Sequence, residues 1–218
     1  MTAAADGCIK PVEGHPVIGT SAEVIYLKGH RAIALLIGEV SLLRTLASAT
    51  VSIGRGVDYL DLLLCPGLPM FVTDQVRWEA TRRADDDAVA SVVRFWFERH
   101  PGITTVSTEC GALRTTAGKV HALTDDELGR LAGRSVAEAF ARGKVPAGAD
   151  ILVDVDDRSD EAFFPSAHIA RRVSLFGFLS DLERAFRISS ADDIIGVVRS
   201  FGGRRAPAAR WQPLEPTV

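Results

Sequence analysis

Acidic side chains that could bind a divalent cation are spread widely along this sequence. Five acids and one hydroxyl are candidate catalytic residues, and the acids are also candidate metal ligands: Glu39, Glu79, Glu138, Asp156, Asp157 and Thr108. Carboxylates that converge repel one another unless a cation neutralises them. Ligands that are all oxygen, without histidine or cysteine, favour Mg²⁺ or Mn²⁺. Such an ion can activate water and stabilise the leaving oxygen of a phosphodiester.

Each candidate also has a purely structural interpretation. Glu39 suits the first turn of a helix, where the helix dipole favours an acid. Glu79 could form a surface ion pair with a nearby arginine. Ser135 and Glu138 have the spacing of a capping box, and the two adjacent aspartates could simply begin a loop.

Short apolar runs supply the strands that must position these residues. Strands are predicted at Arg31–Ile37, Pro69–Thr73, Ile103–Ser107 and Ala149–Val155. Because they alternate with helical segments, we predict a three-layer α/β/α fold with a central, mainly parallel sheet. Ligands of such sheets gather at the carboxyl ends of the strands, and several of the candidate residues follow strands directly.

Helical segments fill most of the chain between these strands. They are predicted at Val40–Ala49, Asp58–Leu64, Asp74–Arg83, Asp85–His100, Thr124–Leu131, Ser135–Arg142, Ser174–Phe186 and Ser190–Phe201. Glu79 and Glu138 lie on two of these helices. Residues 109–123 fit no element clearly.

The composition is that of an ordinary globular protein. The chain has 218 residues, of which 47% are hydrophobic and 24% are charged, and its formal net charge is −3. Nucleic-acid contacts would therefore have to come from local basic patches, such as the arginine pairs at 82–83, 171–172 and 204–205. We expect residues 1–30 to form an N-terminal extension, residues 31–201 the domain, and residues 202–218 a tail.

Cysteine usage and hydropathy bear on the compartment. The three cysteines are far apart and do not have zinc spacing, so reduced thiols in a cytoplasmic protein are expected. The apolar stretches Ala32–Ile37 and Leu60–Cys65 are too short to span a bilayer. The first residues lack the pattern of a signal peptide.

Three stretches of the sequence resemble the PIN-domain family, specifically its bacterial toxin-like ribonuclease branch. Leu68–Arg83 (LPMFVTDQVRWEATRR) is similar to the family's strand followed by V-x-x-E. Gly133–Arg158, with GRSVAEAF and ILVDVDDR, resembles the helix and strand that carry the third and fourth acids. Phe178–Ile195 is similar to the closing helices.

The resemblance implies a role for each candidate residue. Glu79 matches the family's second acid, Glu138 the third, the aspartates at 156 and 157 the fourth, and Thr108 a hydroxyl near the site. The first acid is normally an aspartate, whereas this sequence has Glu39 in the matching frame Glu39–Ala47.

Three functions remain open at this point. The resemblance implies a Mg²⁺- or Mn²⁺-dependent endoribonuclease that hydrolyses RNA, and in the toxin branch it also implies homodimers and a small antitoxin protein as partner. The altered first acid leaves a catalytically inactive RNA- or protein-binding module as the alternative. An unrelated α/β phosphohydrolase is the third option.

Overall fold

The centre of the structure is a five-stranded parallel sheet. A computed structural model describes residues 25–54, 58–117, 124–154 and 170–201. The strands are β1 (Tyr26–Leu27), β2 (His30–Arg31), β3 (Leu35–Ile37), β4 (Met70–Thr73), β5 (Thr104–Val106), β6 (Asp150–Val153) and β7 (Arg171–Ser174). The sheet has the order β5-β4-β3-β6-β7 with every pair parallel, and β1 and β2 form a separate antiparallel hairpin.

Helices cover both faces of this sheet. They are α1 (Val40–Ile53), α2 (Asp74–Thr81), α3 (Ala88–Arg99), α4 (Glu109–Ala117), α5 (Asp125–Ala141), α6 (Leu175–Arg184) and α7 (Ala191–Phe201), with a 3₁₀ helix at Tyr59–Leu64. Helix α1 contacts α3 and α7, α4 contacts α5, and α2 contacts both α1 and α5. The predicted three-layer α/β/α fold is confirmed. No helix in the described ranges is long and apolar enough to cross a membrane.

Burial on both faces explains why the central strands are continuous apolar runs. All three residues of β3 are completely buried, as expected for a central parallel strand covered by helices on both sides. Helix α1 buries Leu42, Leu43 and Leu46, and this helical spacing turns one apolar stripe towards the sheet.

The sequence predicted most elements to within a few residues but divided one helix in two. Thr124–Leu131 and Ser135–Arg142 are parts of the single helix α5, which continues through Gly133. The prediction was wrong because a glycine inside a helix weakens the helix without ending it. The capping box of α5 lies at Thr124 and Glu127, while the Ser135 hydroxyl, inside the helix, donates to the Ala132 carbonyl.

Several further elements were not predicted. Residues 109–117 form α4, and the edge strand β7 precedes α6. The hairpin β1–β2 is also part of the folded core, because Ile25 and Leu27 are buried. Polar residues in β7 and in the hairpin obscure the pattern of apolar residues on which strand prediction depends.

A buried ion pair joins the last two strands of the sheet. Asp150, which is fully buried, lies opposite Arg171 in the β6–β7 pairing. The arginine donates two hydrogen bonds to its carboxylate, from Nε to Oδ1 (2.8 Å) and from Nη2 to Oδ2 (3.1 Å). Burial raises the pKa of Asp150, and the charge of Arg171 opposes that rise only in part.

This arrangement predicts an asymmetric response to mutation. Asp150→Leu should lower the free energy of unfolding by about 3 kcal/mol because it leaves the arginine without its counter-charge. The double variant Asp150→Leu/Arg171→Met should return to within about 1 kcal/mol of wild type. Urea unfolding would measure both. A double variant as unstable as the single one would show that the pair itself stabilises the sheet.

Candidate functional site

The carboxylate of Glu39 meets the backbone of Asp154 at the carboxyl ends of the adjacent strands β3 and β6. Glu39 is the residue before α1, and Asp154 directly follows β6. The backbone N–H of Asp154 donates to Glu39 Oε2 at 2.9 Å, and the hydroxyl of Ser41 donates to the same oxygen at 3.1 Å. The longer side chain of glutamate therefore connects the ends of two neighbouring strands.

Helix α1 also positions the second member of this pair. The hydroxyl of Thr45, which is buried in α1, donates to Asp154 Oδ2 at 2.8 Å. The helix begins immediately after Glu39, so its positive end lies beside the carboxylates. Arg44 on the same helix forms an ion pair with Asp87 (2.6 Å), which connects α1 to the start of α3.

A second group of polar residues follows β4 and β5. Asp74 is the first residue of α2, and its carboxylate accepts a hydrogen bond from the Thr108 hydroxyl at 2.7 Å. Both carboxylate oxygens also lie 3.2 Å from the backbone nitrogen of Thr108. The Thr108 hydroxyl in turn accepts from the N–H of Gly111 at 3.0 Å. Thr108, predicted as a site hydroxyl, therefore connects Asp74 to the first turn of α4.

Glu138 contacts the same helix end. Its carboxylate accepts from the backbone N–H groups of Glu109 (2.7 Å) and Cys110 (3.3 Å), and Arg142 lies 3.3 Å away. Burial raises the pKa of the Cys110 thiol, and the negative charge of Glu138 raises it further. Glu138 thus caps α4, a helix distant in sequence.

Helix α2 lies beside both groups because it contacts α1 and α5. It carries the predicted Glu79, which is half-buried. Gln75 lies one helical turn earlier on the same face and is fully buried. Neither polar atom of the Gln75 side chain has a hydrogen-bond partner among the described residues.

The structure thus distributes the predicted site residues over different places. Glu39 follows β3, Thr108 and Glu138 meet at the start of α4, and Glu79 lies on the helix near both. The aspartates at 156 and 157 lie outside the described residues. Sequence reasoning missed two acids, Asp74 and Asp154.

Both omissions have a recognisable cause. The last strand was predicted to reach Val155, but it ends at Val153, so Asp154 was counted as a strand residue. The same rule, the first acid after a strand, would have selected it. Asp74 was interpreted only as the start of a helix capped by Thr73, and that cap is present, with the Val76 N–H donating to the threonine hydroxyl at 3.2 Å.

The donor chemistry of the Glu39–Asp154 pair fits Mg²⁺ or Mn²⁺. Both ions prefer oxygen ligands, and Mg²⁺ commonly binds through one or two carboxylates while retaining waters. Across the described ranges, no three His, Cys, Asp or Glu side chains form a group that could hold a metal. An ion held by this pair would need water, phosphate oxygens or acids outside those ranges to complete its coordination.

Comparison with known proteins identifies no relative of this chain. No family profile, no curated protein and no solved structure matches this chain.

The contact between Asp74 and α4 predicts how a substitution of Gly111 affects stability. A Cβ at this position would lie 2.1 Å from Asp74 Oδ2, so Gly111→Ala must displace the carboxylate from Thr108 and should cost about 1–3 kcal/mol of stability. In an Asp74→Ala background the same change should be neutral or stabilising by up to about 1 kcal/mol, because alanine favours a helix over glycine. Chemical denaturation of the four proteins would test this. Equal costs in both backgrounds would contradict the contact.

Proposed function

We propose that this protein is a metal-dependent endoribonuclease whose catalytic edge is formed by the carboxyl ends of β3, β4, β5 and β6. The observation that carries the proposal is the direct contact between Glu39 and the backbone of Asp154. It places two acids, distant in sequence, at the position where parallel sheets bind ligands. The resemblance to PIN-domain ribonucleases supports the same reaction class.

The residues of this edge have distinct roles in the proposed reaction. Glu39 and Asp154 bind the ion, and Thr45 and Ser41 keep their carboxylates oriented. When bound, Mg²⁺ or Mn²⁺ supplies Lewis-acid stabilisation of the charge that develops on the phosphodiester oxygens. Glu79 extends the acidic edge from α2.

The resemblance to PIN-domain ribonucleases also suggests partners and a cellular compartment for this protein. In the toxin branch such ribonucleases act in the cytoplasm, form homodimers and are silenced by a small antitoxin protein. We propose these properties for this chain on that resemblance alone.

A specific observation favours the second candidate, a binding module without catalysis. The Glu138 carboxylate already accepts two backbone N–H groups of α4, and its side chain is only 15% exposed. These contacts give Glu138 a structural role, which a protein without catalysis would equally need.

Cleavage assays with isosteric variants test the enzyme proposal. Wild type should cleave a labelled structured RNA with Mn²⁺ or Mg²⁺ and not with EDTA. Glu39→Gln and Asp154→Asn should each reduce the rate by about a hundredfold or more, because each removes a metal-binding carboxylate. Thr45→Val should cost about tenfold, the low end for a residue that orients a metal ligand.

Exposed acids away from this edge provide matched controls. Glu98→Gln, near the carboxyl end of α3, and Asp192→Asn, in the first turn of α7, should leave cleavage unchanged. Circular dichroism should show all variants folded. Cleavage that persists in EDTA, or that falls equally in the controls, would refute the proposal, and RNA binding without cleavage by wild type would favour the second candidate.

A further inference from the structure

A basic surface lies at the opposite edge of the sheet from the carboxylates, where the hairpin packs on α6. We call it the hairpin patch, and it consists of Tyr26, Lys28, Arg31, Arg172, Arg184 and Phe186. The hairpin precedes β3, and Arg172 lies in the first half of β7. Both positions belong to the amino-terminal edge of a parallel sheet.

Direct contacts hold the parts of the hairpin patch together. The backbone N–H of Lys28 donates to Asp181 Oδ2 at 2.8 Å, and its ammonium group donates to the Arg172 carbonyl at 2.7 Å. Arg184 forms an ion pair with the same Asp181. Arg31 lies opposite Tyr26 in the hairpin register.

The charge of the hairpin patch is opposite to that of the whole chain. Four cations gather there although the formal net charge of the protein is −3. Of the nearby acids that the structure describes, Asp181 is almost completely buried and is paired with Arg184, whereas Glu183 is exposed. Asp150 is already matched by Arg171. Among the residues that the structure describes, the four cations of the hairpin patch therefore outnumber Asp181 and Glu183.

Two aromatic rings are exposed beside these cations. Tyr26 is 57% exposed and Phe186 is 71% exposed. Phe186 also has φ of +53°, in the left-handed turn after α6, where its N–H donates to the Glu183 carbonyl and that of Arg187 to the Leu182 carbonyl. Glycine is the unstrained residue at such a helix end, so neither the backbone nor core packing explains a phenylalanine there.

We propose that the hairpin patch binds single-stranded RNA, with its cations on phosphates and its two rings stacked on bases. Exposed aromatic rings in a basic groove are the combination with which proteins bind single strands without reading sequence. The inference rests on the proposed function only in the choice of RNA as the polyanion. A strand of four residues spans about 13 Å, so RNA held here can extend to the carboxylate edge.

Binding measured without metal separates this surface from catalysis. Fluorescence anisotropy with labelled oligouridine in EDTA should show about tenfold weaker binding for Arg31→Glu and for Arg184→Glu at moderate salt. The slope of log affinity against log salt should fall by about 0.7 for each phosphate that the variant no longer neutralises. Arg31→Gln and Arg184→Gln should lower the affinity and the salt slope in the same direction, but by less. These neutral variants are included in case the charge-reversal variants misfold.

Leucine substitutions separate stacking from general hydrophobicity. Tyr26→Leu and Phe186→Leu should each weaken binding about fivefold, the lower range for the loss of one stacked base. The matched controls are Arg130→Glu, an exposed position on α5, and Phe95→Leu on α3, where the phenylalanine is 53% exposed. Both controls should bind like wild type.

The outcomes distinguish this inference from the proposed function. Unchanged binding in folded patch variants, or equal losses in the controls, would overturn the hairpin patch whatever the cleavage assay shows. Weaker binding in the patch variants alone would support it even if wild type cleaved nothing. For an active enzyme, patch variants should raise KM for long RNA and leave kcat unchanged.

Discussion

Negative charge gathered at one edge of a sheet must be matched by hydrogen-bond donors or positive charge, or the edge will not hold its shape. Three of the described acids at this edge meet that condition locally. Glu39 accepts from the backbone N–H of Asp154, Asp74 from Thr108, and Glu138 from the first turn of α4. Each donor comes from a different element, so the donors that accommodate the charge also join the ends of the strands.

The direction of the strands strengthens this arrangement. Helices α1, α2 and α4 all begin directly after parallel strands, so their positive ends point to the edge that carries the acids. The opposite edge lacks these helix starts and carries the cations of the hairpin patch. Among the described residues, acids therefore gather at one edge of the sheet and the cations of the hairpin patch at the other, so a polyanion bound at the patch would lie a short distance from the acids.

The contacts of Glu39 give its side chain a structural role, at a position where the family that the sequence resembles has an aspartate. Its side chain reaches across to the end of the neighbouring strand and accepts a backbone N–H there. Asp154, held by Thr45, is the shorter acid beside it. The proposed metal site therefore consists of acids that follow two neighbouring strands, rather than of one aspartate after the first strand.

Composition and local pattern by themselves determined the layers of this protein and most of its strands and helices. Apolar runs such as Leu35–Ile37 and apolar stripes such as that of α1 predict that a segment is buried. They do not specify which neighbouring element covers it. They also indicated which ends of the strands would carry polar residues, and they placed Glu39 and Thr108 directly after strands.

Only the tertiary structure decided which of those residues meet. The end of β6 at Val153 selects Asp154, and a shift of two residues in a strand end changes which acid faces the site. The partners of Glu138 come from a helix that the sequence left unassigned. The basic character of the hairpin patch likewise arises from segments more than a hundred residues apart, because hydrogen bonds and charge depend on distances in space that local sequence does not encode.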